Sequence, residues 1–194
     1  MVVEFESKII AIGGSAGMFV VLKEILPALP VAFPWPVVVV RHITPGAGDS
    51  IARYFEELCS LPVVEIEDKI PIQGGTIYFA PANYHLLIEE DFSFALSVDE
   101  KVNYTRPSID VFFESVAETY RNRAVGVLLS GANADGAKGL REIKRNEGIA
   151  IVQSIESAEA PFMPGSAIEM LDPDYILEPK EMAEKLRELG NEHR

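Results

Sequence analysis

The sequence predicts an α/β fold: a doubly wound, mainly parallel sheet with an antiparallel hairpin set into it. Three observations lead there. Short β-branched or aliphatic runs recur along the chain without polar alternation, Val37 to Val40 being the purest, which is the pattern of strands buried on both faces. Stretches with apolar residues at helical spacing lie between them. From Ile70 to Val98 that alternation gives way to short strands divided by turn residues.

In chain order, Lys8 to Ile12 is an apolar run ending in glycines, read as a buried strand and a tight turn. Phe19 to Leu26 follows as a helix. The stretch Ile25 to Val40 is apolar but holds Pro27, Pro30, Pro34 and Pro36, which rule out a spanning helix and mark a loop before the Val37 to Val40 strand. Ile51, Tyr54, Phe55, Leu58 and Cys59 share one helical face, so Cys59 reads as core packing. Val63 to Ile66 is a strand. Gln73-Gly74-Gly75 is a turn, and Thr76 to Phe79, His85 to Ile88 and Phe92 to Ser97 read as antiparallel hairpin strands with a structural role.

The α/β alternation resumes at Pro107, placed in the first turn of a helix whose apolar stripe is Ile109, Phe112, Phe113, Val116, Ala117 and Tyr120. Val125 to Leu129 is a strand, Asp135 to Asn146 a helix ended by Gly148, Ile149 to Val152 a strand, Pro164 to Met170 a helix and Tyr175 to Leu177 a strand. Glu181 to Leu189 closes the chain as a helix with a charged, solvated face. With 194 residues and no linker or repeat, the expectation is a single domain over residues 1–194.

Composition narrows the function. Hydrophobic residues make up 48% of the chain, enough for a sizeable core. A formal net charge of −13 repels nucleic acid and anionic membranes, while leaving room for a protein partner at a local basic patch. The single cysteine excludes an intrachain disulfide and a zinc ribbon. The start MVVEFESKIIAIGG lacks a basic segment before an apolar run, so no signal peptide is expected and the location expected is cytoplasmic.

Three loops at strand ends hold chemistry. Gly13-Gly14-Ser15-Ala16-Gly17 fits G-x-S-x-G between a buried strand and a helix, a cramped turn that exposes a serine hydroxyl and converges backbone N–H groups on one spot. Taken alone it reads equally as a glycine-rich turn, although neither the dinucleotide pattern nor a P-loop lysine can be threaded through it. A serine nucleophile needs a base, and there are three histidines. His193 is near the C-terminus and His85 begins a hairpin strand, whereas His42 follows a parallel strand at the sheet edge where open α/β sheets place their sites. Asp135 closes a small-residue loop after a third strand; it reads alone as a helix cap, and beside His42 as the acid that orients the imidazole. The order Ser, His, acid differs from the Ser, acid, His of the α/β-hydrolases.

With these residues in view the chain resembles the catalytic domain of the CheB-type protein-glutamate methylesterases. The matching stretches are Ile10-Ala11-Ile12-Gly13-Gly14-Ser15, Arg41-His42, Ile77-Tyr78-Phe79-Ala80-Pro81 and Tyr84-His85-Leu86. They continue in Arg106-Pro107-Ser108-Ile109-Asp110, Ala124 to Gly131, Asp135 to Leu140 and Met163-Pro164. The resemblance implies a Ser15-His42-Asp135 triad that hydrolyses glutamate γ-methyl esters on chemoreceptor signalling helices, and deamidation of receptor glutamines in some members. It implies no cofactor or metal. The partners it implies are methyl-accepting receptors or similar signalling helices, with a methyltransferase as a further candidate, and no insertion into a membrane.

The expected oxyanion donors are the N–H groups of Ala16, Gly131 and Ala132. The sequence departs from the family pattern where Gly131-Ala132-Asn133 replaces Gly-Met-Gly, and at Met18, whose side chain is expected to narrow the crevice. No receiver domain is expected ahead of the first strand, hence no response to phosphodonors. A methylesterase-like binding module without turnover and an esterase for other acyl groups stay open as alternatives.

Overall fold

The computed structural model describes residues 7–42 and 51–191; the expectations for the N-terminal six residues and for His193 lie outside them. The elements run β1 (Ile9–Gly14), α1 (Met18–Ile25), β2 (Val37–Arg41), α2 (Ile51–Glu56), β3 (Val63–Glu65), β4 (Ile77–Phe79), β5 (His85–Ile88) and β6 (Phe94–Ser97). They continue α3 (Ile109–Tyr120), β7 (Ala124–Leu128), α4 (Ala137–Arg145), β8 (Ile149–Gln153), α5 (Phe162–Met170), β9 (Tyr175–Leu177) and α6 (Pro179–Asn191). Seven strands pair in parallel in the order β3-β4-β2-β1-β7-β8-β9, and β5 and β6 pair antiparallel as a separate hairpin.

The central strands are apolar on both faces because both are covered. Ile9 and Ala11 of β1 and Val38 and Val40 of β2 enter the core shared with α3, α4 and α5, while Ile10, Ile12, Val37 and Val39 enter the core shared with α1, α2 and α6. Each such valine or isoleucine contributes about 1.5–3 kcal/mol on burial. Because both faces are apolar, hydrophobicity alone does not fix the register. Shape does: a Cβ on Gly126 of β7 would come within 2.6 Å of Leu140 and 2.7 Å of Ile143 of α4, so a one-residue slip that brought a valine there would lift the helix.

Several sequence expectations are corrected. Thr76 to Phe79 is not a hairpin strand: β4 lies inside the parallel sheet between β3 and β2, and only β5 and β6 form the antiparallel pair. The helix after β7 begins at Ala137, with Gly136 as N-cap, leaving Asp135 in the loop. Pro107 lies ahead of the α3 N-cap Ser108, whose hydroxyl accepts from the Val111 N–H. The chain leaves α4 through Glu147 at φ 64°, not through a left-handed Gly148. Cys59 lies beyond α2 yet still packs against the core, and burial pushes its thiol up to about 11. Helix α6 keeps its expected solvated face at Glu181, Glu184, Arg187 and Glu188, while Met182, Leu186 and Leu189 on the opposite face are buried.

Candidate active site

The sheet order reverses direction at β1: from there the chain lays β2, the edge strand β3 and then β4 between them on one side, and crosses to β7, β8 and β9 on the other. Such a switch point opens a crevice at the carboxyl ends of the strands. Ser15 follows Gly14, the last residue of β1, and His42 follows Arg41, the last of β2; Gly14 and Arg41 are register partners. Parallel neighbours lie ~4.8 Å apart, so Ser15 and His42 leave the sheet side by side. The His42 N–H donates to Gly14 O at 3.3 Å and the Ser15 N–H to Ser130 O at 2.8 Å, which ties the three strand ends together.

The turn after Ser15 admits little but glycine. Gly17 has φ 82°, and a Cβ there would meet Glu159 Cβ at 2.6 Å and Ser130 Oγ at 2.7 Å. Met18, expected to narrow the crevice, is instead 2% exposed and turned into the core, because the α1 N-terminus aims it under the sheet.

Asp135 comes from the loop after β7, across β1 from β2. Its Oδ2 lies 2.8 Å from His42 Nε2, so the pair spans the end of β1 where Ser15 sits. The carboxylate is fully buried and the imidazole 12% exposed. Asp135 Oδ1 also accepts from Asn103 Nδ2 at 2.7 Å, Ser108 Oγ at 2.8 Å and the Asp110 N–H at 3.3 Å. Its Oδ2 further accepts from the Ile109 N–H at 2.6 Å, and Thr105 Oγ1, whose one proton has the closer acceptor Val102 O at 3.0 Å, lies 3.4 Å from it. Burial works to raise this carboxyl's pKa, but the hydrogen bonds from His42, Asn103, Ile109 and Ser108 outweigh it and bring it to about 2. An ionised carboxylate only accepts, so His42 Nε2 is the donor to it, and in the neutral imidazole Nδ1 is left as the acceptor.

Asp135 therefore caps a helix, but not the one that follows it in sequence. It occupies the N-terminus of α3, while Asp110 of α3 accepts from the Gly136 N–H at 2.9 Å and the Gly139 N–H at 2.8 Å at the N-terminus of α4. Each carboxylate faces the positive end of the other's helix. Asn103 bridges them, donating to Asp110 Oδ2 at 2.9 Å as well as to Asp135. Burial, together with the charge of Asp135, raises the Asp110 carboxyl.

Sequence reasoning did not single out Asn103 or Thr105, which sit in a loop without periodicity. Ser108 carried a readable signal, a capping residue just before an apolar helical stripe. His85 is 2% exposed; its Nδ1 accepts from the Ser108 N–H at 3.2 Å and its Nε2 donates to Glu100 O at 3.0 Å. It braces the α3 N-terminus and does not face the crevice.

Of the three expected oxyanion donors, Gly131 is already committed: its N–H donates to Ala160 O at 2.9 Å. The N–H groups of Ala16 and Ala132 have no partner among the described residues. A Cβ on Gly131 would meet the Met163 side chain at 2.4 Å, which keeps this loop tight against α5. Asn133 turns back so that its Oδ1 accepts from the Asp135 N–H at 3.0 Å, fixing the loop by a local turn.

Comparison with known proteins follows the same lines. The CheB methylesterase family model matches residues 10–186. A Leptospira interrogans relative is 48% identical over 175 residues, covering 90% of this chain and 91% of its own length. The Thermotoga maritima protein-glutamate methylesterase/protein-glutamine glutaminase is 36% identical over 185 residues; this chain spans 54% of its length, about half, as with several other relatives. The crystal structure of the Thermotoga maritima CheB methylesterase catalytic domain superposes with a TM-score of 0.90 at 36% identity, covering 94% of this chain and 98% of that one. The chain belongs to the CheB methylesterase family.

Proposed function

We propose that this chain is a serine hydrolase that removes methyl esters from glutamate side chains of chemoreceptors or similar signalling helices, releasing methanol, and that it deamidates glutamines by the same acyl chemistry. The observation that carries the reading is the buried His42–Asp135 pair at 2.8 Å, set across the strand end that bears Ser15.

In this scheme Ser15 Oγ attacks the ester carbonyl while His42 Nδ1 takes its proton. Asp135 holds the Nε2–H tautomer and stabilises the imidazolium. This reverses the usual assignment of the two ring nitrogens and leaves the roles unchanged. The Ala16 and Ala132 N–H groups receive the developing oxyanion; Gly131 is dropped from the set because its N–H is spent on Ala160. The tetrahedral adduct collapses, methoxide leaves with the proton from His42, and Ser15 is left as a glutamyl ester. Water, deprotonated by the same nitrogen, then releases the glutamate and restores Ser15. An amide substrate follows the same path with ammonia as leaving group. Every proton moves between protein groups, substrate and water, so the scheme calls on no cofactor.

No helix among the described residues is long and apolar enough to cross a membrane. The location proposed is the cytoplasm, and a methyltransferase is a further candidate partner beside the receptor.

The test is methanol release and loss of methyl mass from a methylated receptor fragment, with Ser15→Ala as control. The variant is expected to fold normally, since Ser15 is a small residue on a turn, and to lose about 10⁴-fold or more in kcat. Turnover by Ser15→Ala at the wild-type rate would remove Ser15 as nucleophile. A wild-type chain that binds the fragment without turnover would favour a binding module.

A further inference from the structure

Tyr104 is 95% exposed, more than any other large hydrophobic residue described, and its backbone is in the left-handed region at φ 63°. It follows Asn103 at φ 51°, and Val102 and Thr105 exchange hydrogen bonds across the pair at 3.2 and 2.9 Å. This is a two-residue turn with both central residues left-handed, where the second position favours glycine. A tyrosine there is strained, and its exposed ring gains little from the rest of the chain in return. Strained backbone of this kind clusters at active sites and ligand clamps, which makes the turn a candidate for a role in binding.

The turn is anchored on the catalytic acid. Asn103 Nδ2 donates to Asp135 Oδ1 at 2.7 Å; Thr105 Oγ1 donates its one proton to Val102 O at 3.0 Å and rests 3.4 Å from Oδ2, the oxygen that holds His42. Tyr104 is thus flanked on each side by a residue touching the Asp135 carboxylate. Arg106 steadies the strap behind it, donating to Val98 O at 2.7 Å, Asp99 O at 2.9 Å and Asn83 Oδ1 at 3.0 Å. Val98 and Val102 of the same strap are also exposed, at 67% and 38%.

We propose that Tyr104 is a specificity-determining residue that packs its ring against the protein helix carrying the scissile ester. The proposal rests on the hydrolase reading above. A small ester needs only a nucleophile and oxyanion donors. An ester on a helix brings flanking side chains to the rim, and a tyrosine offers them a large contact area with only two side-chain torsions to freeze. A rigid turn on the triad acid sets that contact at a fixed distance from the reacting carbonyl.

The experiment compares wild type, Tyr104→Gly and Tyr104→Phe on two substrates: a methylated receptor fragment and the γ-methyl ester of a blocked glutamate. Tyr104→Gly should lower the ratio of kcat/KM, receptor over small ester, by about tenfold, the scale of an aromatic contact residue. The change should lie in KM for the receptor, with a melting temperature equal to or above wild type because glycine relieves the turn. Tyr104→Phe should keep most of the ratio. An unchanged ratio for Tyr104→Gly, or an equal fall on both substrates, would overturn the proposal. If wild type itself hydrolyses neither ester, or the small one alone, the reading of function falls first and the proposal with it, which is evident without either variant.

Discussion

Asp135 is the residue on which most of the site's polar geometry converges, and its titration is measurable. Its carboxyl lies near pH 2 in the folded chain against an ordinary value of 3.8. A carboxyl depressed on folding stabilises above its unfolded value and loses that contribution as pH falls through the folded value. The stake is of order 2 kcal/mol, present above about pH 4 and gone below about pH 2. Asp110 has the opposite sign: its carboxyl is raised, so it costs stability when ionised and the cost is relieved on acidification. Urea unfolding against pH should show wild-type stability holding towards pH 4 and then falling away. Asp135→Asn puts an amide NH₂ among donors from His42, Asn103, Ser108 and Ile109, so at neutral pH it should lose about 1–3 kcal/mol. It should lack the acid decline, and its kcat should drop by about 10⁴ through loss of the productive imidazole tautomer. An acid decline identical to wild type in the variant would exclude Asp135 as the titrating group.

At the scale of elements, the site depends on how α3 and α4 approach each other, since each supplies backbone N–H groups to a carboxylate at the other's N-terminus. Gly139 allows the approach: a Cβ there would lie 2.6 Å from Phe113 Cβ and 2.7 Å from the Asp110 carbonyl oxygen, and backbone does not yield cheaply. Gly139→Ala should cost about 1–3 kcal/mol by overpacking and lower ester turnover, because the Gly139 N–H to Asp110 link shifts with the helix. Gly165 in α5 is the control. A Cβ there meets nothing within 4 Å, so Gly165→Ala should be neutral or stabilise by about 0.5–1 kcal/mol. Thermal unfolding and turnover of the pair check both. The helices themselves were legible because their apolar stripes are long, as in Ile109 to Tyr120. The exchange of carboxylates was not, since an aspartate two residues before a helix looks the same whether it caps that helix or a distant one. Strand β4 was misread for a related reason. Parallel neighbours are normally joined through a helix, but β3 and β4 are joined by a loop, and a short apolar run between a glycine pair and Ala80-Pro81 carries no sign of strand direction.

Across the whole molecule, the sheet order turns three distant loops into neighbours, and this much was readable: β-branched runs ending in Ser15, His42 and the Asp135 loop imply parallel strand ends on one edge. The Asn103–Thr105 strap was not readable, because it is held by side-chain hydrogen bonds to Asp135 and Asp110 and not by any periodic pattern. The other global property is charge. The chain carries −13, and the proposed reaction turns a neutral ester into a carboxylate at every turnover. Product is therefore repelled more than substrate, and a receptor becomes a poorer partner as its esters are removed. The field reaches about 30 Å at 0.01 M salt and about 8 Å at 0.15 M, so the repulsion is a low-salt effect. Successive esters on a multiply methylated fragment should be hydrolysed with falling kcat/KM at about 0.01 M salt, and the rates should converge as salt is raised to about 0.5 M, with KM accounting for the change. Hydrolysis of a neutral blocked glutamate ester should show much weaker salt dependence. Equal rates for first and last esters at low salt would mean that local contacts at the rim, and not the net charge of the molecule, govern how receptor and enzyme meet.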